Sequence, residues 1–175
     1  MGGQLGHELH AGASVSGPTA RPAGAETFDF LHGSWNVRHR RLVRRLADDD
    51  TWAEFGGTMT CRSIMAGLGN FDENVLDLPE GRYEACTLRM FEPASGDWSI
   101  RWIDGRDPAF DPPVRGGFVD GVGTFLGTDT CDGVAVDVRY LWSDATPSSA
   151  RWEQAFSPDG GRTWETNWIM EFERA

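Results

Sequence analysis

The sequence predicts an all-β protein that forms a single closed, up-and-down antiparallel barrel of about ten strands. Short runs of Trp, Tyr, Phe, Val and Thr alternate with turn residues from about residue 26 onward, and no segment keeps a helical period beyond two turns. The runs follow one another in meander order. Closure into a barrel would also remove the exposed edges of strands that are this rich in Trp.

The strands are expected near residues 35–46, 51–65, 71–78, 82–91, 97–104, 114–119, 122–128, 134–143, 150–157 and 162–174. Residues that tolerate a positive φ or favour a tight turn separate them. These turns are Asp48-Asp49-Asp50, Pro79-Glu80-Gly81, Ala94-Ser95-Gly96-Asp97, Asp120-Gly121, Cys131-Asp132-Gly133 and Pro158-Asp159-Gly160-Gly161.

The segment before the first strand divides into a tail and a plug. Residues 1–25 are rich in Gly, Ala, Ser and Pro without an apolar period, which predicts a disordered N-terminal tail and a barrel domain over 26–175. Phe28, Phe30 and Leu31 predict a short N-terminal helical plug. The Gly33-Ser34-Trp35 step that follows allows a sharp turn and supplies an indole to fill the barrel floor.

Composition limits the classes of function. The 175 residues include eight Trp and ten Phe, enough for one core, and the net charge of -11 argues against nucleic acid or an anionic membrane as partner. All sixteen basic residues are Arg, which excludes lysine Schiff-base chemistry and a phosphate-loop lysine. We find no apolar stretch of membrane-spanning length and no signal-peptide pattern, and the three cysteines show no Cys-x-x-Cys. We therefore expect a cytoplasmic protein; a homodimer is left open.

The run Ser157-Pro158-Asp159-Gly160-Gly161-Arg162-Thr163-Trp164 resembles the Asp-box hairpin of sialidases and related propellers. In that motif the Asp side chain caps backbone amides of the turn, and the Trp packs beneath the hairpin. A propeller would need several copies and a much longer chain. The single copy predicts a structural hairpin and no sialidase-like chemistry.

Alternation along the first strand selects the side chains that face the lumen. If Trp35 points inward, Val37, His39, Arg41 and Val43 follow it, while Arg38, Arg40 and Arg44 face solvent. Two interpretations stay open for the arginine cluster over residues 38–45. It forms a solvated or acid-paired strand, or His39 and Arg41 build an anion or carbonyl site, since an interior Arg needs an acidic neighbour or a ligand oxygen.

Alternation on the later strands predicts an aromatic lumen. The last strand places Trp164, Trp168, Met170, Phe172 and Arg174 on one face. The candidate ligand-binding residues on all strands are Trp98, Trp102, Tyr140, Trp142, Trp152, Gln154 and Trp168. Apolar walls with a few polar groups are typical of a site for a small organic molecule. The alternative is that these rings fill a solid barrel.

Signals for cofactors and metals are missing from the sequence. The Gly-rich run over 116–123 falls in a hairpin instead of between a strand and a helix, and His7 and His10 lie in the expected tail. We therefore expect no cofactor and no metal site.

From Phe28 to Ala175 the chain resembles an uncharacterised bacterial family of lipocalin-like (calycin) barrel proteins, distantly similar to nitrobindins and fatty-acid-binding proteins. The resemblance rests on Phe28-Asp-Phe-Leu-x-Gly-x-Trp35, on Leu88-Arg89 with Trp98 and Trp102, and on Trp152-x-Gln-Ala-Phe-Ser157 leading into Asp159-Gly-Gly-x-Thr-Trp164-Glu-x-Asn-Trp168. In lipocalins an Arg near the chain end stacks on the Gly-x-Trp indole, which implies that Arg174 stacks on Trp35. Nitrobindins hold haem through a late His, and no His follows His39 here.

Two functions follow from these patterns. The first is binding of a small, largely apolar or aromatic molecule in the lumen. The second is a cofactor-independent isomerase, cyclase or lyase, with His39 as acid and base, Arg41 stabilising an enolate-like oxygen, and Tyr140 or Gln154 orienting the substrate. A protein-interaction module is disfavoured by the acidic outward face of the last strand.

Overall fold

The computed structural model describes residues 20–175 apart from the side chain of Pro108, and within them the protein is all-β. Two 3-10 turns, Asp29–Leu31 and Met65–Gly67, accompany the strands. The strands are β1 (Gly33–Leu42), β2 (Trp52–Ile64), β3 (Gly69–Leu78), β4 (Gly81–Glu92), β5 (Asp97–Asp104), β6 (Asp107–Phe110), β7 (Val114–Val119), β8 (Val122–Cys131), β9 (Val134–Ser143), β10 (Ser149–Ser157) and β11 (Glu165–Arg174). No helix in this part of the chain is long and apolar enough to cross a lipid bilayer.

Ten of the strands form a closed ring in the order β4, β3, β2, β1, β11, β10, β9, β8, β7, β5, with β5 pairing back to β4. All neighbours are antiparallel, so the predicted closed antiparallel barrel is confirmed. The short β6 is an addition that pairs with the last residues of β5 at the barrel rim. Its four residues are too few to show an alternating pattern in the sequence.

Because neighbouring strands run in opposite directions, their connections collect at two ends of the barrel. We call one the closed end, where the N-terminal segment, the C-terminus and the turns 65–68, 93–96, 120–121 and 144–148 meet. We call the other the open end, formed by the connections 43–51, 79–80, 105–113, 132–133 and 158–164.

The predicted helical plug is not formed. The segment is a single 3-10 turn of three residues, because Gly33, with φ of 111°, turns the chain into β1 directly afterwards. The apolar side chains still fill the closed end as expected. Phe28 and Leu31 are buried, and the Phe28 ring lies 5.0 Å from the Trp98 ring and 4.9 Å from the Phe118 ring.

The expected tail over 1–25 lies mostly outside the described residues. Its last part lies against the closed end of the barrel. The Arg21 guanidinium donates to both carboxylate oxygens of Asp29, at 2.7 and 2.8 Å, and to the carbonyl oxygen of Gly67 at 2.8 Å. Ala25 is fully buried, so the packed part of the chain begins a few residues before Glu26.

The predicted stack of Arg174 on Trp35 is confirmed. The guanidinium carbon lies 3.7 Å from the indole centroid, and the same group donates to the carbonyl oxygens of His32 at 2.6 Å and Phe30 at 2.9 Å. The Trp35 indole N–H donates in turn to the carbonyl oxygen of Leu31 at 2.8 Å. A side chain at Gly33 would place its Cβ 2.8 Å from the Arg174 guanidinium, which explains the glycine.

The inward positions of β1 follow the predicted alternation for Trp35, Val37, His39 and Arg41. Val43 was predicted to face inward, and this is wrong. The strand ends at Leu42 and the chain turns away, which leaves Val43 60% exposed.

The alternation of β11 breaks at a bulge. Gln154 pairs with Trp168, but the next residue of β10, Ala155, pairs with Thr166, so Asn167 is an extra residue. Asn167 is therefore fully buried instead of facing outward, and its side chain accepts a hydrogen bond from Gln154 at 2.8 Å. Trp164 does not line the lumen as predicted, and it lies beneath the Arg139 guanidinium at 4.6 Å.

Replacing Arg174 with Ala should lower the free energy of unfolding by about 2 to 3 kcal/mol, because the cation–π contact and charged hydrogen bonds to backbone carbonyls are lost together. Urea denaturation measures the loss. Arg38→Ala is the control, since Arg38 is an exposed β1 arginine whose contacts are with Glu171 in solvent, and it should cost much less. Equal losses for the two variants would contradict the role of the stack.

Candidate functional site: a cavity at the open end of the barrel

The barrel contains a cavity of about 410 Å³ that reaches from the middle of the lumen to the open end. Its walls are largely aromatic. Tyr140 and Trp152 meet edge to face at 4.9 Å, Trp152 and Trp168 at 5.7 Å, and Trp102 and Trp168 at 5.9 Å. Tyr83, Trp142, Phe156 and Phe172 complete the aromatic lining. The lumen is therefore not filled by its own side chains.

Most of the ligand-binding residues predicted from the sequence line this cavity, namely Trp102, Tyr140, Trp142, Trp152, Gln154 and Trp168. Trp98 does not. It faces inward on β5 but lies nearer the closed end, where its ring contacts Phe28 and Phe91 at 5.0 and 5.5 Å. Its indole N–H donates to the Thr27 hydroxyl at 3.0 Å. Alternation predicted its direction correctly, but alternation carries no information on depth along the barrel axis.

Of the three candidate catalytic residues, Arg41 and Tyr140 line the cavity and His39 does not. The His39 ring stacks on Phe55 at 4.7 Å, and its Nδ1 accepts a hydrogen bond from the Trp168 indole at 3.2 Å. A Cβ at Gly57 would lie 2.9 Å from its Nε2. His39 is therefore packed between Phe55 and Trp168, outside the cavity.

Burial, with a smaller contribution from the nearby Arg41 guanidinium, lowers the pKa of His39 to about 4. The imidazole is thus neutral at physiological pH. This state matches its role as acceptor for the Trp168 N–H, which holds that indole in the cavity wall.

The inner limit of the cavity is formed by a buried charged cluster that the sequence analysis missed. The Arg89 guanidinium donates to Asp72 and, at 3.0 Å, to Asn70, while Asn74 donates to Asp72 at 2.5 Å. Arg89 is 4% exposed and Asp72 is fully buried. The signal in the sequence is the polar period-two pattern of Asn70, Asp72 and Asn74 on β3. An amphipathic strand shows the same pattern on its solvent face, so the pattern alone does not indicate a buried cluster.

Two buried donors beside this cluster lack acceptors among the described residues. They are the Nε–H of Arg89 and the indole N–H of Trp142. Both side chains line the cavity, and the Arg89 guanidinium lies over the Trp142 ring at 5.5 Å. Both N–H groups are fully buried, so they lie behind the cavity wall and are not exposed to a molecule in the cavity.

Two arginines enter the cavity at the open end from the β1 side. Arg41 lies over Trp168 at 5.3 Å, and Arg45 lies over Phe156 at 5.5 Å. Arg45 is held there by the connection between β1 and β2. The backbone N–H of Leu46 donates to both carboxylate oxygens of Glu165, at 2.9 and 3.0 Å. Arg45 was predicted only as a member of the arginine cluster over residues 38–45, because the long-range contact that places it in the cavity has no local signature.

Acidic residues line the rim on the other side, namely Asp104, Asp107, Asp111 and Asp129. Arg106 binds Asp104 at 2.6 Å. Burial and the three neighbouring carboxylates raise the pKa of Asp111 to about 6. Burial, followed by Asp111 and Asp129, also raises the pKa of Tyr140, so this phenol stays protonated.

The Asp-box hairpin at the open end has the predicted structural role. Asp159 accepts from the backbone N–H groups of Arg162 and Thr163 at 3.0 and 2.9 Å, and from the Thr163 hydroxyl at 2.8 Å. These bonds lower the pKa of Asp159 to about 2. The motif fixes the turn between β10 and β11, and none of its residues lines the cavity.

Within residues 20–175, no group of three or more His, Cys, Asp and Glu side chains is arranged to hold a metal ion. His7 and His10 lie outside the described residues.

No family model and no curated protein sequence matches the chain. Among solved structures, the chain is similar to the S-type phycobiliprotein lyase CPES from Guillardia theta, with a TM-score of 0.56 and 10% sequence identity. The match covers 86% of this chain and 91% of that one. Such a likeness shows the fold alone, and it supports the lipocalin-like form of the barrel.

The buried His39 makes stability depend on pH. Its pKa is about 4 in the folded protein and near 6.5 in the unfolded chain, so the unfolded chain binds the proton first as pH falls. Relative to His39→Gln, which keeps an acceptor for Trp168, the wild type should lose about 3 kcal/mol of unfolding free energy between pH 6.5 and pH 4. Urea denaturation of both proteins across that interval measures the difference. A difference that stays constant with pH would show that His39 is not buried in neutral form.

Proposed function

We propose that the barrel binds a small, largely aromatic organic molecule in the cavity at its open end. The observation that carries the proposal is an unfilled space of about 410 Å³ with aromatic walls and a few polar groups. This size and composition are those of sites for small organic ligands. The proposed contact residues are Trp102, Tyr140, Trp142, Trp152, Gln154 and Trp168.

The arrangement of the rings supports an aromatic ligand in particular. Trp152 and Trp102 both meet Trp168 edge to face, with interplanar angles of 84° and 79°. Such walls present both ring faces and ring edges to the cavity, and each aromatic contact adds about 0.5 to 1.5 kcal/mol beyond the burial of apolar area. The side chain of Gln154, which lines the cavity, would orient the molecule.

We also propose the protein's family and its location in the cell. The stack of Arg174 on Trp35 and the Asp-box hairpin support membership of the bacterial lipocalin-like family that the motifs resemble, with its distant similarity to nitrobindins and fatty-acid-binding proteins. Cys61, Cys86 and Cys131 are free thiols, which supports a cytoplasmic location.

A second function, isomerase, cyclase or lyase chemistry on the bound molecule, has support from the name of the similar structure, a phycobiliprotein lyase. Arg41 and Tyr140 are available in the cavity for it. His39, the proposed acid and base, contacts the Trp168 indole instead of the cavity. We therefore favour binding without catalysis. Turnover of a bound molecule that is lost in His39→Gln would favour the second function.

Isothermal titration calorimetry with naphthalene-2-methanol, a neutral bicyclic probe, tests the proposal. A dissociation constant below about 100 μM, equivalent to about 5.5 kcal/mol, is expected for the wild type. Trp152→Ala removes a wall of the cavity and should weaken binding about tenfold or more. Trp164→Ala is the matched control, since Trp164 lies outside the cavity, and it should bind like the wild type. Equal weakening in both variants would contradict the proposed site.

A further inference from the structure

Arg41 and Arg45 face the same part of the cavity. Arg41 lies over Trp168 on β11 and Arg45 over Phe156 on β10. Gln154 of β10 pairs with Trp168, and Phe156 is the next inward residue after Gln154 on that strand. Trp168 and Phe156 are therefore neighbours on adjacent strands. Two guanidinium groups with their donors are thereby brought to one side of the cavity mouth.

Neither guanidinium has a close acidic partner in the described part of the chain. No carboxylate within residues 20–175 lies within 4.0 Å of the Arg45 guanidinium, and the ion pair of Arg41 is a 4.0 Å contact with Glu80, whose side chain is 68% exposed. Two arginines close to them in the sequence or at the cavity rim are closely paired. Arg44, next to Arg45, binds Asp49 at 2.7 Å, and Arg106 binds Asp104 at 2.6 Å.

Placing two positive charges together in a partly buried site is unfavourable without an anion. Burial, followed by repulsion from Arg41, lowers the pKa of Arg45, which shows the cost of its position. The Glu165 carboxylate accepts from Leu46 and so holds the connection that keeps Arg45 inside. The chain therefore maintains this arrangement instead of releasing Arg45 to solvent.

The acidic side chains of the rim form no ion pair with these two arginines within residues 20–175, and Arg45 only partly offsets the raised pKa of Asp111. They belong to β5, to β8 and to the segment around β6, which lie across the barrel from β1 in the strand order. Asp104 is already bound by Arg106. The mouth of the cavity is thus basic on the β1 side and acidic on the opposite side, which favours one orientation for a ligand with a single negative group.

We propose that the ligand is an aromatic carboxylate whose carboxylate binds Arg41 and Arg45 while its rings lie among Trp102, Trp152 and Trp168. A planar carboxylate accepts charge-assisted hydrogen bonds from guanidinium groups in a defined geometry. The inference rests on the proposed function and narrows it from aromatic molecules in general to aromatic acids.

The test compares two probes of nearly equal size and shape, 2-naphthoate and naphthalene-2-methanol, by isothermal titration calorimetry at constant ionic strength. The wild type should bind the acid at least about tenfold more tightly than the alcohol. Arg41→Gln and Arg45→Gln should each remove most of this preference, measured as the ratio of the two affinities in the same variant. Arg45→Lys, which keeps the charge without the planar fork, should retain part of the preference.

Arg44→Gln is the matched control, because Arg44 is the exposed neighbour of Arg45 and pairs with Asp49 outside the cavity; it should keep the full preference. Near-ultraviolet circular dichroism shows whether each variant keeps its packed aromatic core. Equal affinities of the wild type for the two probes would overturn the anion site and leave the proposed function standing. A preference that persists in both Gln variants would overturn the assignment to these arginines, and the absence of binding of either probe would overturn the proposed function and the inference with it.

Discussion

The buried ion pair of Arg89 and Asp72 divides the barrel interior into two parts. Hydrogen bonds stabilise both charges: Asp72 accepts from Arg89 and from Asn74, and Asn70 accepts from Arg89, while the Arg89 Nε–H has no acceptor within residues 20–175. The Arg89 guanidinium also lies over the Phe28 ring at 5.3 Å. The inward positions of β3 and β4 at this level are therefore polar and cannot contribute to a continuous apolar core.

Packing on the two sides of this ion pair differs for that reason. Toward the closed end, Phe28 is surrounded by Trp98, Phe118 and Phe125, and the space is solid. The stack of Arg174 on Trp35, with the hydrogen bonds of Arg174 to His32 and Phe30, connects the N-terminal segment to the last strand. Toward the open end no segment of residues 20–175 enters the lumen, so the aromatic side chains form walls around a cavity.

Alternation in the sequence was sufficient to predict the barrel and most of its inward faces. A strand with regular pairing on both sides, such as β9, follows the expected pattern without exception. The failures occur where the period of two is interrupted. The bulge at Asn167 reverses the sides of β11 only for the residues before Trp168, and the end of β1 at Leu42 moves Val43 outward.

Other features of the site depend on contacts between distant parts of the chain. Arg45 enters the cavity because Glu165 holds the backbone at Leu46, across a sequence separation of 119 residues. The pairing of Arg89 with Asp72 requires β3 and β4 to be aligned first. Depth along the barrel axis, which separates Trp98 from Trp102, is likewise set by the closed ring and by the residues that plug one end.

The tryptophan indole N–H signals in a two-dimensional ¹⁵N–¹H NMR spectrum report on both halves of the interior in one measurement. Four of the eight tryptophans line the cavity, namely Trp102, Trp142, Trp152 and Trp168, and four lie elsewhere, namely Trp35, Trp52, Trp98 and Trp164. Saturation with 2-naphthoate should shift the signals of the first group and leave those of the second in place. Shifts of Trp35 and Trp98, or unshifted signals from the four cavity residues in the presence of bound probe, would contradict a lumen that is closed at one end and open for binding at the other.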